Sequence, residues 1–221
     1  MKILFENYKN LLEARLNHKT LLSIGEDSIR YDFFIALLKT YNLEPYQIEV
    51  ETALNSKCFI PYLNEKSKRN EKPLIDLALN TPTLKICAEF GLFRQNTNEE
   101  GTINKTARTI KMVNDMIRAS LHSKFENSRG FFICVADYKM IGHKMQNDFI
   151  DKFPSDYLIT NDFIRHQLKQ KTNKIDSRFL AVFSPLNKNI KSNIVYNENL
   201  KAINIKKETR LIIWETNIID K

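Results

Sequence analysis

A chain of 221 residues, 43% hydrophobic and 27% charged, suits one globular domain with a sizeable core. No apolar run approaches the roughly 20 residues that cross a bilayer. The three cysteines (Cys58, Cys87 and Cys134) lack disulfide-framework or zinc spacing, so neither a membrane-spanning helix nor a disulfide-stapled secreted fold is expected. The net charge of +8 and pI of about 9.3 favour a polyanionic partner, because phosphate contacts release counterions and steer association.

The first stretch, MKILFENYKNLLEARL, is broken by Glu, Asn and Arg, unlike a signal peptide, and a cytoplasmic location is expected. Residues 1–22 read as an amphipathic helix with Ile3, Leu4, Tyr8, Leu11, Leu12 and Leu16 near helical spacing. A second helix is expected from about Ser23–Glu26 to Tyr41, with Ile29, Phe33, Ala36 and Leu37 on its apolar face. Glu26 falls in its first turn on the core side, where an acid ordinarily serves the helix dipole. After Pro45, residues 46–53 alternate with period two as a half-exposed strand, with Glu49 and Glu51 on one face. Asn55 to Lys72 is a polar, basic loop carrying Lys57, Lys66, Lys68 and Arg69.

The next stretch, KPLIDLALNTPTLKICAEFGLFR, reads as a hairpin: a strand over 74–79, the turn Asn80-Thr81-Pro82-Thr83, and a strand over 84–93. Each strand holds one acid in an apolar run, Asp76 and Glu89. A carboxylate buried without a partner costs several kcal/mol, on the order of a lost ion pair, so these acids need a cation, a metal or a donor. Period two places Lys85, Cys87, Glu89, Gly91 and Phe93 on one face, and puts Arg94 on the other. A third helix is expected over 103–125, with Arg108, Lys111, Asp115 and Arg118 in a row off its core stripe. Such a row is ordinarily solvated; flanking the hairpin acids, it would be a phosphate rail. Phe131 to Ala136 reads as a buried central strand. Further on, Tyr157–Ile159 is followed by a helix near 161–171, Phe179 to Phe183 reads as another strand, and Leu200–Ile205 with Arg210–Thr216 as a closing strand pair.

The resulting order over residues 25–137 is helix, three strands, helix, strand. With an Asp on the second strand and a Glu a dozen residues later, the chain resembles the PD-(D/E)XK nuclease superfamily, which includes many restriction endonucleases. The resemblance implies an α/β restriction-endonuclease-like fold, a mixed sheet flanked by helices in αβββαβ order, within one domain of 1–221 whose residues 138–221 extend the core. It implies Mg²⁺, with Mn²⁺ as substitute, held by Asp76 and Glu89, and Glu49 and Glu26 at places where some relatives carry an additional acid. It implies DNA as partner, with Lys66, Lys68, Arg69, Arg108, Lys111 and Arg118 on its backbone, and a second copy of the chain as a candidate partner. The implied reaction is endonucleolytic phosphodiester hydrolysis of the type II restriction kind. Two positions depart from the pattern: Pro73 lies three residues before Asp76, where the family's Pro adjoins the Asp, a minor departure; and the motif lysine, two residues after the second acid, is Gly91 here, the serious one. Lys85 is the first substitute to consider, Arg94 the second if a bulge at Gly91 flips the register, and Lys111 the third. Two other readings stand beside this one: a catalytically inactive DNA-binding or assembly protein on the same fold, and an unrelated α/β protein whose two acids are structural. The histidines (His18, His122, His143, His166) form no metal-binding pattern, and no P-loop, GxGxxG or GxSxG occurs.

Overall fold

The computed structural model describes residues 1–61, 72–95, 101–144, 152–169 and 175–221. Two helices, α1 (Lys2–His18) and α2 (Glu26–Tyr41), precede three strands, β1 (Ile48–Ala53), β2 (Leu74–Asn80) and β3 (Lys85–Phe93). Then come α3 (Lys105–Glu126), β4 (Arg129–Asp137), the short β5 (Tyr157–Ile159), α4 (Asn161–Lys169), α5 (Ser177–Phe183) and the long hairpin β6 (Asn189–Asn199) and β7 (Thr209–Ile219). All seven strands form one mixed sheet in the order β1-β2-β3-β4-β7-β6-β5. Among the described strands only β3 and β4 pair in parallel, and α3 lies in the crossover between them. The chain is therefore an α/β protein with helices on both faces of a mixed sheet.

The central strands β3 and β4 are apolar almost throughout because both their faces are covered. On one face, α1 and α2 bury Tyr8, Leu12, Phe33 and Leu37 against Ala88, Phe90, Ile133 and Ile213. On the other, α3 and α5 bury Met112, Met116, Ile117 and Phe179 against Cys87, Phe93, Phe132 and Trp214. A bidentate pair from Arg15 to the buried Asp32, at 2.6 and 2.7 Å, ties α1 to α2. The helix α3 begins on Asn104, whose side chain accepts from Ala107 N, and ends on a left-handed Asn127. All three cysteines are free and buried, and no described helix is long and apolar enough to cross a membrane.

Two expectations fail in the last third. Residues 179–183 are helical: the apolar run RFLAVF fits a buried helix as well as a strand, and Asp176 caps its start by accepting from Arg178 N. The closing hairpin is β6 with β7. Its first strand is Asn189–Asn199, and residues 200–208 form the connection. The first helix stops at His18, followed by a single 3-10 turn over Leu21–Ser23.

Candidate active site at the parting of β2 and β3

The site arises where one strand leaves its neighbour. The hairpin holds β2 to β3 from Asn80↔Lys85 as far as Leu77↔Ala88. From there β2 stays with β1, to Ala53↔Leu74, and parts from β3. The backbone groups of β3 that pointed at β2 lose their ladder partners, and an unpaired backbone polar group costs about as much as a lost hydrogen bond. Side chains take over. Phe90 N–H donates to Asp76 Oδ2 at 2.9 Å, Leu92 N–H to Glu26 Oε2 at 3.3 Å, and Lys111 Nζ donates to the Phe90 carbonyl at 2.7 Å. The edge of β3 thus gathers an acid from β2, an acid from the first turn of α2 and an ammonium from α3.

Glu89 lies on the α3 side of the sheet, fully buried. Arg118 takes both of its oxygens: Nη2 donates to Oε2 at 2.7 Å, and Nε approaches Oε1 at 2.6 Å but off the hydrogen-bond line. The same Nη2 reaches Asp115 Oδ1 at 2.7 Å, and Lys111 Nζ reaches Asp115 Oδ2 at 2.6 Å. Lys111 also stands 3.3 Å from Glu26 Oε1. From the α2 side, Arg30 Nη1 is 3.7 Å from Asp76 Oδ1, and Nη2 pairs with Glu51 and Asp27. Glu51 adopts φ 51°, a left-handed conformation uncommon for a non-glycine residue in a strand.

Among the described residues, six carboxylates (Glu26, Asp27, Glu51, Asp76, Glu89, Asp115) therefore share three cations (Arg30, Lys111, Arg118), a formal excess of three acids in a protein of net +8. Burial pushes the Glu89 carboxyl well above the usual range, and the Arg118 guanidinium works against it. Burial likewise raises Glu26, with Lys111 opposing. For Lys111, burial alone would lower the ammonium, but Asp115 and Glu26 outweigh it and the net shift is upward. Lys111 is thus a fixed positive charge.

Asp76 is 23% exposed and Glu26 36%, whereas Glu89 is at 0%. Magnesium is held by one or two carboxylates and keeps several waters. Asp76 and Glu26 fit that description. Glu89 does so only by giving up an Arg118 contact. No group of three or more His, Cys, Asp or Glu among the described residues is arranged to cage an ion.

The other residues singled out in the sequence lie elsewhere. Glu49 pairs across from Ala78 and accepts from Thr52 Oγ1 at 2.6 Å. Lys85 is exposed at the turn end of the hairpin, lining an open cavity with Glu49, His122 and Glu126. No bulge occurs at Gly91: β3 pairs with β4 without a break from Ile86↔Arg129 to Phe93↔Ala136. Arg94 accordingly turns away, donating to Ile24 O and Gln95 O, each at 3.1 Å. Burial, and next the nearby Arg108, lower its pKa. A side chain at position 91 has no room, since a Cβ there would come 2.9 Å from the Phe93 ring and 3.0 Å from that of Phe132. Lys66, Lys68 and Arg69 lie outside the described residues. Of the helical row, Lys111, Asp115 and Arg118 face the acids as an inward polar stripe, instead of forming a solvated rail.

Arg30 and the clamping role of Arg118 escape a reading of the sequence alone. The spacing of Lys111, Asp115 and Arg118 is a signal for one helix face, but its direction depends on the packing of α3. No family model matches the chain, and neither a curated protein nor a solved structure resembles it.

Proposed function

We propose that the chain is a metal-dependent nuclease with a restriction-endonuclease-like core, hydrolysing phosphodiester bonds of DNA at the parting of β2 and β3. The observation that carries this reading is the meeting of two partly exposed carboxylates, Asp76 and Glu26, with the ammonium of Lys111 at one strand edge. Asp76 and Glu26 would hold Mg²⁺ there, and the bound ion would polarise the scissile phosphate and lower the pKa of a coordinated water.

The protein's own groups do the rest. Lys111 takes the place of the lysine that Gly91 lacks. Its Nζ is anchored on Phe90 O and Asp115, so it offers a preoriented charge to the extra negative charge of the transition state. Because it stays protonated, it stabilises charge and does not abstract a proton. Arg118 and Asp115 hold Glu89 and Lys111 in register. Arg108, whose charge acts on Arg94 from nearby, would suit a phosphate of the DNA backbone.

A second reading is favoured by one observation. With both Glu89 oxygens on Arg118, the cluster also serves as a purely structural seal on the frayed edge of β3, in a protein that binds DNA without cutting it. Plasmid nicking separates the two. Supercoiled DNA incubated with Mg²⁺ or Mn²⁺ should be nicked by the protein and left intact by Asp76→Ala. DNA that is bound but never nicked with either metal overturns the nuclease reading.

A further inference from the structure

Just beyond β3 lies a second, smaller cavity of about 210 Å³. Its floor is the ends of the parallel strands, Gln95 and Asp137, and one wall is the turn that leads into α2, Leu21 and Leu22. Ile205 and Lys207, from the β6–β7 connection, close the other side. Gln95 is only 6% exposed, and its Oε1 has no hydrogen-bond partner. An orphaned buried amide oxygen costs about 1–3 kcal/mol unless something donates to it. Asp137 is also buried, and its two oxygens each accept one backbone N–H, from Gln95 at 3.0 Å and Lys139 at 2.9 Å. Each keeps acceptor capacity. The floor therefore offers acceptors and asks for donors.

The walls ask for something flat and partly apolar: Leu21, Leu22 and Ile205 are aliphatic, and Tyr138 adds a ring. At the rim, Lys207 Nζ lies 4.4 Å from the centroid of the Tyr138 ring and 3.1 Å from its hydroxyl, a fixed cation beside the opening. At roughly 30 Å³ per water, the volume is that of about seven waters. It is below the range of about 300–1,000 Å³ usual for larger ligands, so it suits a single heterocycle. Gln95 is three residues beyond Leu92, whose N–H is bound by Glu26. Its Cα is then at most about 11 Å from that edge, within a nucleotide or two of the candidate active site.

We infer that this cavity binds one nucleobase bearing an exocyclic amine, that is adenine, cytosine or guanine, with the amine donating to Gln95 Oε1 and Asp137 and the attached phosphate beside Lys207. The base could come from a free nucleotide or from a strand that presents it unstacked, the manoeuvre of enzymes that extrude a base. Only the second source rests on the nuclease reading.

The test is binding without metal, read by saturation-transfer NMR and calorimetry, with dAMP, dCMP, dGMP, dTMP, the corresponding deoxynucleosides and inorganic phosphate as probes. In parallel, duplex DNA carrying 2-aminopurine, whose fluorescence rises on unstacking, reports a base taken from a strand. One or more of the three amine-bearing nucleotides should bind at least tenfold more tightly than dTMP, and phosphate alone should bind weakly. Gln95→Leu should weaken binding about tenfold, as loss of one hydrogen bond implies. Lys207→Ala should abolish the advantage of nucleotide over nucleoside. Leu22→Trp, which fills the cavity from its wall, should abolish binding and keeps the test alive if Gln95→Leu folds poorly. A fluorescence rise that Leu22→Trp abolishes assigns the base to a strand, whereas nucleotide binding without the rise assigns it to free nucleotide. No binding of any nucleotide and no fluorescence change, or binding indifferent to Leu22→Trp, overturns the inference. Nucleotide binding by a protein that never nicks DNA leaves the pocket standing and removes the nuclease.

Discussion

Replacing Arg118 with methionine removes the guanidinium and keeps much of the side-chain volume. Glu89, fully buried, then loses both of its contacts, and Asp115 keeps only Lys111. Removing one partner of a buried ion pair costs about 3–5 kcal/mol, a large share of the roughly 5–15 kcal/mol that holds a domain together. At about 2–4 °C per kcal/mol for a chain of this size, Tm should fall by roughly 6–20 °C. The loss should depend on pH with a defined sign. Without Arg118, burial and next the neighbouring Asp76 and Asp115 act on Glu89 against Lys111 only, and its folded pKa is raised further above the unfolded value near 4.3. Between those values the folded protein binds a proton that the unfolded chain does not, so stability grows as pH falls through the window. The deficit of Arg118→Met should therefore shrink from pH 8 to pH 5. Adding Glu89→Gln should recover much of it at pH 8, because no buried charge is left unpaired. Urea unfolding followed by the single, buried Trp214 reads both effects. A deficit under about 1 kcal/mol at pH 8, or one that grows on acidification, would refute the clamp.

Other expectations follow from the same geometry. Burial raises Glu26, so Mn²⁺ affinity should decline as pH falls while still above the usual glutamate range of about 4.3; in Glu26→Gln, calorimetry should find weaker binding and no such decline in that range. Gly91→Ala should cost about 1–3 kcal/mol by overpacking against Phe93 and Phe132, measured by urea unfolding, and Gly91→Lys should not raise the rate of cleavage. Lys85→Ala, at the far end of the hairpin, should leave nicking unchanged; a hundredfold loss would return the catalytic role to Lys85.

Much of the framework was legible because its signals are local. The αβββαβ order stands in the structure with boundaries shifted by a few residues, since apolar runs, the Asn80–Thr83 turn and the α3 stripe are short-range patterns. The strand β6 was missed because Asn189–Asn199 is rich in Asn and alternates poorly: its strict pattern breaks at the shift between Ile194 and Tyr196. The two acids were legible as charges in apolar runs, Glu89 fully buried and Asp76 half-buried. Their partners were not, because Arg118 reaches Glu89 from 29 residues away and the Phe90 N–H meets Asp76 across 14. The parting of β2 from β3 has no local mark, being set by β2 following β1. Position 91 is closed to a side chain by Phe132, a residue of the neighbouring strand, together with Phe93 on β3 itself.

Single-turnover cleavage of a defined duplex with Mn²⁺, by the protein and by Lys111→Met side by side, tests the role of the β3 edge most directly. Loss of the ammonium that sits on Phe90 O and Asp115 should slow cleavage on the order of 10²–10³-fold, as loss of a transition-state charge partner does, while duplex affinity changes little. Cleavage by Lys111→Met at the unmutated rate would contradict it, as would a protein that binds the duplex and cuts it under neither metal.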